Sequence, residues 1–106
     1  GARKIYFVSA CPPVKFPCFY GVDMPTKSEL IASSRSVEDT RKYMGADILM
    51  YQEIKDLVEA VTRVGEHNID RPCMACLDGR YITGDVDEEK MRLMENQRNL
   101  ERSNLP

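Results

Sequence analysis

Four cysteines are the residues of this chain with the most distinctive chemistry. Cys73 and Cys76 form a Cys-x-x-Cys pair, and Cys11 and Cys18 lie near the start of the sequence. Two thiolates at that spacing can hold one metal ion or cluster from a single turn, or form a redox disulfide. A tetrahedral zinc site or an iron–sulfur cluster needs four ligands. Cys18 is the candidate third ligand, and the fourth is Cys11, His67 or a residue outside the chain.

Simpler interpretations exist for most of these residues. Cys11 follows an apolar strand, where a small buried thiol is common, and His67 lies in a polar loop typical of solvated side chains. Thioredoxin-like chemistry requires the Cys-x-x-Cys pair at a helix N-terminus straight after a strand, and Pro72 makes that context poor. Gly79 and Gly84 fit neither a Walker loop nor a dinucleotide-binding loop. The Cys-x-x-Cys pair therefore indicates metal or cluster ligation more than redox catalysis.

Composition excludes several classes of protein. The chain has 106 residues, 42% of them hydrophobic, which suits one domain or a piece of one. The net charge is −2, with acids and bases mixed, so no basic stripe predicts nucleic-acid binding. No apolar run is long enough for a membrane span or for the core of a signal peptide. We therefore expect a cytoplasmic, reducing environment, in which cysteines are seldom paired.

The elements that must position the cysteines follow a strand–helix–strand–helix order. Continuous apolar runs predict strands over residues 4–10 and 47–51, each buried on both faces. Capping boxes at residues 26–29 and 36–39 predict two short helices, the first through Ser33 and the second ended by Gly45. The next helix is amphipathic, and its apolar face and closing glycine are Ile54, Leu57, Val58, Val61, Val64 and Gly65.

The remainder has weaker signals. Residues 73–85 are predicted to be irregular, with a short strand over 80–83. A helical tail is predicted from Asp85, and its thin apolar face, Met91 and Met94, is either solvated or packed on something outside this chain. The charged groups of the tail are an acidic first turn (Asp85, Asp87, Glu88, Glu89) and two helical pairs (Glu88/Arg92 and Glu95/Arg98).

This order of elements predicts a parallel strand pair with a right-handed crossover. Two strands alone do not make a stable sheet, and both are predicted to be buried on two faces. The chain is therefore expected to be part of a larger α/β domain, and the alternative is a self-sufficient small α/β sandwich.

At the level of motifs, the chain resembles a known enzyme family. The stretches PCFYGVDMP (residues 17–25), ELIA (29–32), CMAC (73–76) and GRY (79–81) resemble the C-terminal portion of the glutamine phosphoribosylpyrophosphate amidotransferases, or amidophosphoribosyltransferases. The likeness covers about residues 1–89. It implies an α/β fold: a fragment of a type I phosphoribosyltransferase-like parallel sheet with flanking helices and an irregular cysteine-bearing C-terminal segment. The implied division is 1–84 for the phosphoribosyltransferase part and 85–106 for a helical tail.

The resemblance also implies an activity for a longer parent protein. Family members make 5-phosphoribosylamine from phosphoribosyl pyrophosphate and glutamine, in the first committed step of purine biosynthesis. Gly1 is not the nucleophilic cysteine of the family's glutaminase domain, and the phosphoribosyl pyrophosphate loop is not found here. The fragment alone is therefore expected to be inactive, with no catalytic residue of its own. Its implied partners are the rest of the transferase domain, the glutaminase domain, further copies in a homo-oligomer and inhibitory purine nucleotides. The resemblance also implies that Mg²⁺ binds together with phosphoribosyl pyrophosphate, and that parts of the parent outside this chain bind both.

Particular site residues follow from the same resemblance. Cys18, Cys73 and Cys76 match three of the four cysteines that hold a structural [4Fe–4S] cluster in one branch of the family. The fourth family ligand lies outside this chain. Cys11, where the family has serine or alanine, could substitute for it locally, and Leu77 stands where phenylalanine is usual.

Three further positions match the region of the transferase site. Asp23 and Pro25 match positions near bound nucleotide, and Leu30 matches a position in the wall of the interdomain ammonia channel. The simpler interpretations are an ordinary core leucine for Leu30 and a helix-entry proline for Pro25. Two other classes of function remain open: a small standalone metal-binding or redox module that uses all four cysteines, and a partner-binding α/β domain without chemistry.

Overall fold

A computed structural model describes residues 1–63 and 69–104. These residues form two strands, five α-helices and one 3-10 turn. In chain order the elements are β1 (Tyr6–Ser9), a 3-10 turn (Lys27–Glu29), α1 (Ile31–Ser34), α2 (Val37–Met44), β2 (Ile48–Tyr51), α3 (Ile54–Arg63), α4 (Ala75–Asp78) and α5 (Glu88–Ser103).

The predicted parallel strand pair is confirmed. Strands β1 and β2 lie side by side with Tyr6 opposite Ile48. At the entry to the pair, the Asp47 amide donates to the Ile5 carbonyl at 2.8 Å, and the Asp47 carboxylate accepts from the Ile5 amide at 2.7 Å. Each strand is shorter than the sequence predicted, and β1 ends before Cys11.

The burial predicted for these strands is not supplied by the described residues. Leu49 of β2 is buried, but Phe7, Val8 and Met50 are 46%, 70% and 58% exposed. Within residues 1–63 and 69–104, β1 and β2 are the only strands, so both edges of the pair are unpaired. Both strands are therefore only partly covered in the described part of the chain.

Local capping signals explain the helices between the strands. Ser36 accepts from the Asp39 amide at 3.1 Å, and Gly45 ends α2 with φ +69°, as predicted. The capping box at Thr26 is also present, with the Glu29 carboxylate accepting from the Thr26 amide at 3.0 Å. It starts one 3-10 turn rather than a helix through Ser33, because Leu30 is extended and interrupts the helix.

The predicted strand over residues 80–83 is wrong. The chain turns there instead: the Arg80 amide donates to the Asp78 carboxylate at 2.9 Å and the Gly84 amide to the Tyr81 carbonyl at 3.1 Å. These two bonds close local turns, and the Thr83 amide donates to the Tyr20 hydroxyl at 3.2 Å, so no strand ladder forms. The preceding segment contains the four-residue helix α4, which the irregular pattern did not predict.

Helix α5 was predicted correctly, but its environment was not. The helix begins at Glu88 rather than at Asp85, and Asp87 caps it by accepting from the Lys90 amide at 2.8 Å. Of the four acidic residues predicted for the first turn, Glu88 and Glu89 lie in it, whereas Asp85 precedes the helix. The predicted Glu95/Arg98 pair is replaced by tertiary contacts: Glu95 accepts from the Ser28 amide at 2.9 Å, and Arg98 contacts the 23–24 segment. The helix is therefore docked on this chain's own loop.

The apolar face of α5 takes part in this docking. Met91 and Met94 line a small cavity together with Pro17, Cys18 and Pro25. The two methionines are therefore only partly covered by this chain: Met91 is half-buried, whereas Met94 is still 36% exposed, and packing on something outside the chain stays a prediction.

The core is small and lies mainly around the second half of the chain. Its buried apolar residues are Ala32, Ala46, Leu49, Met74, Ala75, Leu77 and Tyr81. Helix α3 contributes no fully buried residue, and the prediction for its end, at Val64 and Gly65, lies outside the described residues. None of the described helices is both long and apolar enough to cross a membrane.

Candidate metal centre

The Cys-x-x-Cys pair lies at the start of helix α4. Cys73 is exposed and precedes the helix, whereas Cys76 is its second residue and is half-buried. The helix closes at Gly79, which has φ +75° and donates its amide to the Ala75 carbonyl at 2.9 Å. The pair thus does lie at a helix N-terminus, contrary to the prediction, but residues 69–72 before it form no strand.

The loop that carries Cys18 lies directly against α4. The Lys15 and Phe16 amides both donate to the Cys76 carbonyl, at 2.9 Å and 3.0 Å. The Phe16 ring covers Gly79 so closely that a Cβ there would lie 2.9 Å from the ring's Cζ atom. Glycine is therefore required at residue 79 both by its backbone conformation and by this contact.

Tyr81 is the second point of attachment between the two segments. Its hydroxyl donates to the Pro17 carbonyl at 2.7 Å. Its ring meets Phe19 edge-on with 5.1 Å between centroids, and Tyr20 at 6.1 Å. Tyr81, only 9% exposed, is therefore the buried centre of an aromatic cluster beside Cys18 in which Phe19 is half-buried and Tyr20 is exposed.

The Cys18 side chain is itself hydrogen-bonded. Its Sγ atom accepts from the Tyr20 amide at 3.3 Å. The Tyr20 hydroxyl is in turn hydrogen-bonded to the Thr83 hydroxyl at 3.0 Å and accepts from the Thr83 amide at 3.2 Å. Residues on both sides of Cys18 are thus tied to the segment that follows Cys76.

The surroundings of Cys76 change the acidity of its thiol. Burial raises the pKa of the Cys76 thiol, and the charges of Cys11, Cys18 and Cys73 raise that pKa further. Burial, with smaller effects of Cys18 and Cys76, raises the pKa of Tyr81 to about 12. Tyr81 is therefore protonated, and able to donate to Pro17, at any physiological pH.

The thiols are neighbours without forming a complete site. All four cysteines are free. In residues 1–63 and 69–104, no three His, Cys, Asp or Glu side chains converge closely enough to hold a metal ion. His67, one candidate for a fourth ligand, lies outside the described residues. The donor chemistry fits an iron–sulfur cluster or a thiolate-bound metal, and a ligand beyond these side chains is needed to complete it.

Of the three residues implied near the transferase site, Asp23 and Pro25 lie beside α5. Asp23 forms an ion pair with Arg98, although its side chain is 91% exposed. Pro25 lines the cavity beneath α5. Leu30 is half-buried between the 3-10 turn and α1, where its carbonyl accepts from the Ser33 amide at 3.0 Å. Their implied roles at a nucleotide and in a channel stay predictions.

Sequence reasoning missed the residues that attach the Cys18 loop to α4. Phe16 was not singled out, and Gly79 and Tyr81 were noted as parts of a motif without a role. The available signal was the rare combination of aromatic residues at 16, 19 and 20 with glycine and tyrosine at 79 and 81.

Comparison with known proteins gives one family repeatedly. The chain is 48% identical over 99 residues to the amidophosphoribosyltransferase of Pseudomonas aeruginosa, covering 93% of this chain and 20% of that protein. It is 40% identical over 99 residues to the Escherichia coli protein of the same name, covering 93% of this chain and 19% of that protein. No protein-family model matches the chain.

The solved structures agree with these relatives. Glutamine phosphoribosylpyrophosphate amidotransferase from Bacillus subtilis, complexed with ADP and GMP, superposes with a TM-score of 0.65 at 36% identity, covering 85% of this chain and 20% of that one. The predicted α/β class, part of a phosphoribosyltransferase-like parallel sheet, is confirmed by this likeness. This chain spans about a fifth of the length of the curated relatives it matches. The resemblance in residues 17–32 and 73–81 is thus confirmed, and the chain is homologous to one segment of the amidophosphoribosyltransferases.

Proposed function

We propose that this chain is the C-terminal portion of an amidophosphoribosyltransferase, whose complete form makes 5-phosphoribosylamine from phosphoribosyl pyrophosphate and glutamine for purine biosynthesis. The observation that carries the proposal is 48% identity over 99 residues to one such enzyme. The catalytic groups belong to other parts of the parent, so the 106-residue chain is inactive by itself.

The exposed apolar surfaces of the chain support this proposal. Strands β1 and β2 expose large side chains such as Tyr6 and Val8, and α3 has an apolar stripe without a fully buried residue. Large apolar surfaces of this kind mark contacts with other protein. The remaining strands and helices of the parent transferase domain are the partner that would cover them.

Segment replacement tests the proposal. The 99 matching residues of the Pseudomonas aeruginosa enzyme are replaced by those of this chain, and the chimera is expressed in a purine auxotroph that lacks its own amidophosphoribosyltransferase. We expect growth without added purine. A matched control carries the same segment with Gly79→Val, which would push Phe16 from its place. Failure of a folded chimera to support growth would contradict the proposal.

We further propose that Cys18, Cys73 and Cys76 are three ligands of a structural [4Fe–4S] cluster in the parent. The hydrogen bonds from the Lys15 and Phe16 amides of the Cys18 loop to the Cys76 carbonyl support this ligand set. When bound, such a cluster supplies a covalent cross-link between the two segments. The fourth ligand comes from the rest of the parent, or from Cys11.

Iron and acid-labile sulfide, measured after anaerobic purification of the parent protein, test the ligand set. Cys18→Ser, Cys73→Ser and Cys76→Ser are each expected to abolish cluster content, whereas Cys11→Ser, the matched control, leaves it unchanged unless Cys11 is the fourth ligand. Tightly bound zinc lost in all four variants would favour a standalone metal-binding module instead.

The remaining assignments belong to the same proposal. Asp23 and Pro25 lie near bound purine nucleotide and Leu30 lines the ammonia path, with residues 1–84 belonging to the transferase domain and 85–106 to a tail. The Bacillus subtilis relative was solved with ADP and GMP, which supports nucleotide binding by the parent. The parent is proposed to act as a cytoplasmic homo-oligomer that takes Mg²⁺ with phosphoribosyl pyrophosphate. In the chimera, Asp23→Asn should weaken inhibition by GMP; unchanged inhibition would contradict the assignment of Asp23.

A further inference from the structure

Cys18 is held by contacts on both sides of it in the chain. On its N-terminal side, the Pro17 carbonyl accepts the Tyr81 hydroxyl at 2.7 Å. On its C-terminal side, the Tyr20 amide donates to the Cys18 sulfur at 3.3 Å. The Tyr20 hydroxyl is hydrogen-bonded to Thr83, which lies only two residues after Tyr81. The backbone around this thiol is therefore fixed by one short segment.

That segment is continuous with the Cys-x-x-Cys pair. Tyr81 follows Cys76 by five residues, with the turn at Gly79 between them. Phe16 adds a third attachment, through its amide on the Cys76 carbonyl and its ring on Gly79. The distance from Cys18 to the pair is thus set by hydrogen bonds and ring contacts that need no metal.

The Tyr81 ring packs against other aromatic rings, whereas its hydroxyl makes a specific hydrogen bond. Phenylalanine would fill the same space in the aromatic cluster, so packing alone does not require the oxygen. Within the described residues, this hydroxyl makes one hydrogen bond, which it donates to the carbonyl of Pro17, the residue before Cys18. Groups that orient a metal ligand typically change metal affinity 10–100-fold when removed, and amide donors to sulfur tune thiolate sites.

We propose that Tyr81 and Tyr20 are positioning residues that keep the Cys18 loop on the segment that follows Cys76 before any metal binds. The loop is held there even though the described thiols do not yet converge on one metal ion. The use of this placement in cluster ligation rests on the proposed function, whereas the placement itself does not. Tyr81 acts through the Pro17 carbonyl and its ring contacts. Tyr20 acts through its hydroxyl, whose hydrogen bonds to Thr83 keep the Tyr20 amide on the Cys18 sulfur.

The first arm of the test needs no metal. The 106-residue chain and its Tyr81→Phe variant are alkylated with iodoacetamide, and each cysteine peptide is followed by mass spectrometry. Cys18 is half-buried and Cys11 is exposed, so Cys11 serves as an internal reference. We expect Cys18 to react at least about tenfold faster, relative to Cys11, once the hydroxyl is removed.

A matched control and a second variant keep this arm decisive. Tyr43→Phe removes a hydroxyl from a 70% exposed tyrosine and should leave the Cys18 rate unchanged. Tyr20→Phe keeps the backbone amide but loses the hydrogen bonds to Thr83, so it should increase the alkylation rate of Cys18. This variant is the test if far-UV circular dichroism shows that Tyr81→Phe does not fold. An unchanged ratio of Cys18 to Cys11 in the folded variants would overturn the proposal.

The second arm uses cobalt(II) alone as the metal probe. Thiolate-to-cobalt charge-transfer absorbance reports the number of bound sulfurs, and titration gives the dissociation constant. Tyr81→Phe is expected to weaken cobalt binding 10–100-fold and to lower the charge-transfer intensity by one thiolate. A purely structural role would change thermal stability but leave the spectrum of the folded variant as in Tyr43→Phe, which would overturn the ligand-positioning role.

The two arms separate this inference from the proposed function. If Tyr81→Phe accelerates the alkylation of Cys18 but Cys18→Ser leaves the iron and sulfide content of the parent protein unchanged, the placement stands and the cluster assignment of Cys18 fails. If cobalt binds through Cys73 and Cys76 with the same affinity in all variants, Cys18 is not a positioned ligand and the inference fails.

Discussion

The contact between Gly79 and Phe16 allows a quantitative test of how the Cys18 loop is held on α4. Gly79 has φ +75°, and an added Cβ would lie 2.9 Å from Phe16 Cζ and 3.1 Å from two other ring carbons. A left-handed alanine costs about 1–2 kcal/mol, and forcing a methyl group into a packed contact costs about 1–3 kcal/mol. We therefore expect Gly79→Ala to lower the free energy of unfolding by about 2–5 kcal/mol.

Gly84→Ala is the matched control for the backbone contribution. Gly84 has φ +70°, but an added Cβ there would meet no atom within 4 Å. Its substitution should therefore cost about 1–2 kcal/mol, the left-handed penalty alone. Urea unfolding at one temperature gives both free energies, and their difference, about 1–3 kcal/mol, measures the overlap with the Phe16 ring.

A double substitution identifies the ring as the cause. Phe16→Leu removes the ring atoms that the new methyl group would meet, so Phe16→Leu with Gly79→Ala should cost less than the sum of the two single changes. If Gly79→Ala and Gly84→Ala lose the same stability within about 0.5 kcal/mol, the loop does not lie on α4 in solution and the account of the site is refuted.

Three further predictions concern α5 and the thiols. Arg98→Gln should lower the free energy of urea unfolding by about 1–2 kcal/mol, because a charged donor to the Met24 carbonyl is lost from a partly exposed site. Hydrogen bonds from Lys90, and to a smaller extent from Thr83, lower the pKa of Asp85 from 3.8 to about 2. The ionised Asp85 therefore stabilises the fold above pH 4, and this contribution is lost as the pH falls toward 2. In Asp85→Asn, the free energy of unfolding should decrease less between pH 4 and pH 2 than in the unchanged chain. Cys76 should be alkylated by iodoacetamide more slowly than Cys73 at pH 7, because burial raises the pKa of its thiol, and the gap should narrow as the pH rises.

Each of these has a control on the same chain. Arg92→Gln changes an exposed arginine of α5 and should shift stability by less than about 0.5 kcal/mol; an equal loss in both variants would contradict the docking contact. For Asp85, an acid profile of Asp85→Asn as steep as that of the unchanged chain would contradict the assignment. For the thiols, equal alkylation rates for Cys73 and Cys76 at pH 7 would show that Cys76 is not buried against the Cys18 loop.

The fold was predictable wherever the signal was local. Apolar runs predicted β1 and β2, and the hydroxyl of Ser36 with Gly45 predicted both ends of α2. Residues 80–83 misled because Tyr81 and Thr83 alternate as in a strand. The structure uses Tyr81 as an anchor on Pro17, a contact that the local pattern does not contain.

For the candidate site, too, the sequence showed the local features but not the contacts between distant residues. The spacing of Cys73 and Cys76 was visible, and the resemblance added Cys18 to them. The contacts that bring the three together join residues about 60 positions apart, such as Phe16 with Cys76 and Pro17 with Tyr81. Such pairings have no sequence period, so they could not be derived without the fold.

Release of glutamate from glutamine by the purified chimera tests the central claim most directly. The account predicts that the Pseudomonas aeruginosa enzyme carrying this chain's residues in the matching segment releases glutamate and forms phosphoribosylamine only when phosphoribosyl pyrophosphate is present. A folded chimera without phosphoribosyl pyrophosphate-dependent turnover, alongside an active unaltered enzyme, would contradict the claim that this chain is a working segment of an amidophosphoribosyltransferase.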